Sequence, residues 1–186
     1  LALYGDLIAI YEGMGLVVHS DLDWTGTIGN YGLVFVDTPS TAPSWWATAT
    51  GGGWTGRICL VGENNTISID DCFTWINSVS GATHGMTITG DSIDTTCGPW
   101  DGSIETDDLT AGLTPFFRYD DTSQVSGGTA LSKTETGAVT WIARNTVGTV
   151  DYVLSGDSDH ITDPCGFVGA GGDNVPFAEN LWNVAV

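Results

Sequence analysis

The chain has 186 residues, with 4 Lys and Arg against 23 Asp and Glu, a formal charge of −19. Hydrophobic residues make up 41%, which excludes a disordered acidic tail. Four cations are too few to neutralise a phosphate backbone, so nucleic acid is not an expected partner, and anionic membrane surfaces are disfavoured for the same reason.

In chain order, short runs rich in β-branched and aromatic residues predict strands. They cover 7–11, 16–19, 31–36, 57–61, 66–69, 73–79, 86–89, 115–119, 138–144, 149–154 and 180–186. Gly, Asp, Asn, Ser and Pro punctuate them. No long stretch has a helical period, and short helical turns are expected only near 40–46 or 70–78. The clearest hairpin spans 138–154, turning at Asn145-Thr146-Val147-Gly148, with Trp141 opposite Tyr152 and Val139 opposite Leu154. About eleven strands predict an all-β chain, a β-sandwich or jelly-roll-like domain with long loops and little helix. It would form a single domain over 1–186, with an irregular insertion around 91–113.

The acid is mostly Asp, 18 against 5 Glu, and Asp favours turns and caps. Cys59, Cys72, Cys97 and Cys165 form an even set, which predicts two disulfides. Three pairings are open. Cys59–Cys72 with Cys97–Cys165 is favoured, because the first pair flanks a turn-like Gly62–Asn65 stretch. The same reading predicts an exported protein, extracellular or on a virion surface.

Asp21, Asp23 and Thr25, with Gly26 at the sixth position, resemble the front half of a calcium loop. Asp157 and Asp159 form a second oxygen-rich cluster. Calcium is therefore the one candidate cofactor. Gly90-Asp91-Ser92-Ile93 is similar to the nucleophile block of GDSL-type esterases, and Asp157 to His160 supply a matching Asp-x-x-His. That family resemblance implies a three-layer α/β fold, which the strand-rich pattern does not predict. The expectation is accordingly that the chain is not an enzyme.

Trp45, Trp46 and Trp54 flank Gly51–Gly53, a loop composition suited to stacking sugar rings. Both termini are apolar. Leu1, Leu3, Leu181, Trp182, Val184 and Val186 are candidates for burial against another subunit. The leading expectation is a structural subunit that assembles with copies of itself outside the cell, as a virion coat or decoration protein or as an extracellular filament or surface protein. The second is a secreted carbohydrate-binding module that uses calcium. No membrane insertion is expected, because no apolar run approaches roughly 18 residues.

Overall fold

The computed structural model describes residues 4–20, 26–37, 41–62, 73–89, 98–100, 103–113, 117–119, 122–134, 137, 139–157 and 174–186. The organising element is β2 (Gly56–Val61), in which every residue is buried. Burial on both faces produces an unalternated apolar run, here Ile58-Cys59-Leu60-Val61, and is the signature of an interior parallel strand. Its neighbours β1 (Leu33–Asp37) and β10 (Val150–Ser155) both pair with it in parallel. Beyond β10 the sheet becomes antiparallel through β9 (Thr140–Val147), β8 (Thr129–Lys133) and β5 (Ser103–Ile104). The spatial order is β1-β2-β10-β9-β8-β5. Two small antiparallel ribbons complete the strands among the described residues. One joins β3 (Thr87–Thr89) to β7 (Gln124–Ser126), the other β4 (Gly98–Trp100) to β6 (Phe117–Tyr119).

Helices are α1 (Gly5–Gly13), α2 (Trp46–Thr48, continued by a wide turn over Ala49–Gly53), α3 (Gly81–His84, entered from a wide turn over Ile76–Ser80) and α4 (Asn174–Asn183). The chain is thus mixed α/β, and the expected all-β sandwich or jelly roll is wrong. Three predicted strands are helical instead: α1 replaces the one at 7–11, helical turns replace 73–79, and α4 occupies much of 180–186. The physical reason lies in spacing and packing. Leu7 and Tyr11 stand four apart, so a helix puts both on one side, where they are buried against Ala178 of α4. Ile8, Ile10 and Tyr11 favour strands locally, and tertiary burial overrides that weak preference. The expected irregular insertion contains β4 and β5.

The β9–β10 hairpin forms at the predicted place with a different register. Its loop is only Gly148-Thr149, and Gly148 takes φ +63°, the left-handed value a two-residue hairpin turn requires. Tyr152 therefore faces Asn145 rather than Trp141, and Leu154 faces Ala143 rather than Val139.

Side chains alternate across the sheet and divide the interior in two. Ile58, Leu60, Tyr152 and Leu154 pack with Trp45, Trp46, Trp75, Met86 and Ile88 from the α2, α3 and β3 side. Cys59 and Val153 point the other way, toward Phe177 and Leu181 of α4. Each fully buried large apolar side chain contributes about 1.5–3 kcal/mol, so both layers are needed to hold the sheet between them. Among the described residues, no helix is long and apolar enough to cross a membrane.

Candidate functional site

Alternation in β2 and β10 also buries two charges. Arg57 and Asp151 are register partners on adjacent parallel strands. Arg57 Nε donates to Asp151 Oδ2 at 2.6 Å, and both side chains are 1% exposed. Arg144 of β9 donates from Nε to the other oxygen, Oδ1, at 2.8 Å, and the Thr146 hydroxyl donates to the same oxygen at 3.2 Å. One carboxylate therefore joins two guanidinium groups. Arg144 extends the network outward through Nη1, which reaches Asp107 at 2.8 Å and also bonds Asp108. Arg57 extends it toward α4: its Nη1 donates to the carbonyl of Leu181, and to that of Val184 at 3.2 Å. These are carbonyls at the end of α4, where a helix leaves acceptors without intrahelical partners.

The electrostatics follow from this arrangement. Burial works against the Arg144 charge, but hydrogen bonding and attraction from Asp151, Asp108 and Asp107 outweigh it, so its pKa rises. Asp108 is held below the usual carboxylate range, first by a hydrogen bond with Asp107 and then by Arg144. Nearby, burial pushes up both the Tyr11 hydroxyl and the Cys59 thiol. Tyr11 donates to Ala178 O at 2.9 Å, a bond that ties α1 to α4.

Beside this network lies a cleft of about 240 Å³. Gly32, Thr55 and Gly56 form its sheet side, and Leu181, Trp182 and Val184–Val186 its α4 side, with Arg57 also lining it. Trp182 is 41% exposed and Val186 is 48% exposed, at the end of a helix whose Phe177 and Leu181 are core. Trp182 lies close over Gly32, where an added Cβ would come within 3.3 Å of the indole.

Few of the residues singled out in the sequence converge here. Trp45, Trp46 and Trp54 are buried at 5–6% exposure, and Trp54 Nε1 donates to Tyr31 O at 2.8 Å. They are core, so the expected sugar-stacking surface does not exist at these three positions. Leu181 is core as well, while Trp182 and Val186 are exposed, and Leu1 and Leu3 lie outside the described residues. Of the calcium candidates, Asp157 is fully buried just beyond β10, where the Ser155 hydroxyl donates to its carbonyl at 2.9 Å. Asp21, Asp23, Thr25 and Asp159 lie outside the described residues, as do Ser92 and His160. Among the described residues, no group of three or more His, Cys, Asp or Glu is placed to hold a metal ion. Cys59 is a free, buried thiol, in place of the disulfide expected for it. Cys72, Cys97 and Cys165 lie outside the described residues.

Sequence reasoning missed Arg57, Asp151 and Arg144. The signal was available: a charged residue inside each of two apolar runs, in a chain with only four cations. Charges that deep are nearly always paired.

No protein-family model and no curated protein matches the sequence. A solved structure, the cytoplasmic protein STM1381 from Salmonella typhimurium LT2, is similar in fold, with a TM-score of 0.67 over 97% of this chain and 86% of that one, at 8% sequence identity. At that identity the likeness carries architecture alone. It agrees with the mixed sheet and removes the structural basis for the jelly-roll capsid expectation. STM1381 is named a cytoplasmic protein, so this likeness lends no support to the extracellular or virion-surface location expected from the cysteines.

Proposed function

We propose that this chain works by non-covalent association through the exposed end of α4, with a second copy of itself as the partner, rather than by catalysis. The observation that carries this reading is the pairing of exposed Trp182 and Val186 on the rim of the α4 cleft. Exposed large apolar groups that cluster mark contact surfaces more often than isolated ones do. Charge supports the same face. Residues 174–186 contain one acid, Glu179, in a chain with 23. Among the described residues, no Asp or Glu lines the cleft, and the one cation there, Arg57, is paired internally. Two strongly acidic copies repel least where each presents an uncharged window. Lys133 pairs with Glu105 at 2.7 Å, so three of the four cations are engaged within the chain, which disfavours nucleic acid as the partner.

The test is sedimentation velocity across a concentration series at low salt and at about 0.5 M, where screening shortens the reach of repulsion to a few ångströms. The wild-type chain should dimerise, more tightly at high salt. A Trp182→Ser, Val186→Ser double variant should stay monomeric with an unchanged far-UV spectrum. A wild-type chain that remains monomeric at millimolar concentration in high salt overturns the proposal.

A further inference from the structure

We infer, on the footing of the self-association proposed above, that each copy seats the tip of its β9–β10 hairpin in the α4 cleft of the other. Among the described residues, the large apolar side chains left exposed are Val17, Val147, Trp182 and Val186. Val147 closes β9 at the hairpin tip, and residues 146–149 are all exposed. Register puts this tip and the cleft at one end of the sheet. Val147 pairs with Val150, and Val150 with Gly56, which lines the cleft. The next cleft residue, Gly32, accepts the Arg57 N–H through its carbonyl at 2.9 Å. Neighbouring strands lie ~4.8 Å apart, so the tip stands about 10 Å from Gly56 and about 14 Å from Gly32.

A tip and a cleft side by side are what a twofold pair needs. Rotation about an axis between them sets tip on cleft and cleft on tip, so one contact is made twice. Charge fits the two surfaces to each other. The tip, Thr146-Val147-Gly148-Thr149, carries none. Among the described residues the cleft has no acid, and its Arg57 is neutralised by Asp151. In a chain of −19, two adjoining uncharged patches are where copies meet with least repulsion. Shape agrees. Gly32 and Gly56 leave the sheet side of the cleft without side chains, and Trp182, Val184 and Val186 give it an apolar wall. Its volume of about 240 Å³ is below the ~300–1,000 Å³ of pockets that hold drug-sized molecules, and suits one apolar side chain on a narrow turn.

The experiment compares wild type with Val147→Glu, Trp182→Lys and Thr74→Glu by sedimentation velocity. Thr74 is an exposed control: it follows Phe73, which lies against Gly62, just past the opposite end of β2 from the cleft. Val147→Glu and Trp182→Lys should each weaken self-association about tenfold or more, as loss of an interface anchor does, with an unchanged far-UV spectrum. Thr74→Glu adds the same charge as Val147→Glu and should associate like wild type. An equimolar mixture of the Val147→Glu and Trp182→Lys chains should associate more tightly than either alone. A mixed pair keeps one native contact and turns the other into a charge pair. If Trp182→Lys loses its fold, Trp182→Ser replaces it, since the mixed pair still keeps one native contact. A Val147→Glu chain that dimerises like wild type, or a mixture no tighter than its components, overturns the inference and leaves self-association standing. A wild-type chain that never dimerises overturns both.

Discussion

Arg57 and Asp151 are directly opposed across β2 and β10, with a 2.6 Å ion pair at 1% exposure. Burying two charges costs heavily in desolvation, so the pair is weak evidence of stability in itself, but removing one partner strands the other. Asp151 has two guanidinium partners, which makes it the critical member. Asp151→Asn should destabilise the fold by about 3–5 kcal/mol in urea titrations. A loss below about 1 kcal/mol would show that water reaches the network in solution.

His84 is buried and held neutral. Its Nδ1 accepts the Met86 N–H at 3.0 Å, and its ring packs 5.8 Å from that of Tyr152. Burial lowers its pKa to about 4, while a backbone hydrogen bond with Ile76 opposes the shift. Tyr152 is pushed up to about 12 by burial and stays neutral throughout this range. The folded value lies below the unfolded one, so the unfolded chain binds the proton more readily. The contribution of His84 to stability is complete above pH ~6.5 and is lost as pH falls toward about 4, a change of roughly 3 kcal/mol. Denaturation midpoints should fall across that window, and His84→Gln should flatten the slope. An imidazole titration near 6.5 by NMR contradicts this.

The Cys59 thiol is 3% exposed, with its pKa raised by burial. Thiolate is the reactive form, so native Cys59 should resist alkylation at pH 8 and react promptly in denaturant. Peptide mapping after alkylation under both conditions checks this. A Cys59–Cys72 disulfide would instead leave Cys59 unmodified in denaturant until a reductant is added.

The sequence made the middle of the sheet legible and left its surroundings hidden. The runs at 57–61, 138–144 and 149–154 correspond to β2, β9 and β10, because β-branched and aromatic residues there agree with their buried setting. The unalternated run in β2 also signalled cover on both faces, which a sandwich does not provide. Helices α1 and α4 were illegible for a local reason: their apolar residues include strand formers, and only mutual contact selects the helical spacing. Trp45, Trp46 and Trp54 looked like a surface because a Gly-rich loop separates them, yet the turn through Gly52, at φ +83°, lies beside a core that holds all three. The exposure of Trp182 was legible only as an apolar end, since its position depends on where α4 docks.

The bond from Tyr11 to Ala178 spans 167 positions of sequence. During synthesis α1 is made well before α4, the helix that covers Leu7 and Tyr11. The β9–β10 hairpin can form locally as soon as it is made, but the other edge of β2 stays open until β10 pairs with it. Between the synthesis of α1 and that of α4, a nascent chain therefore carries a bare apolar helix and an unfinished strand edge. Such surfaces invite aggregation and chaperone capture. The yield of folded protein should thus depend on how quickly the closing segment arrives.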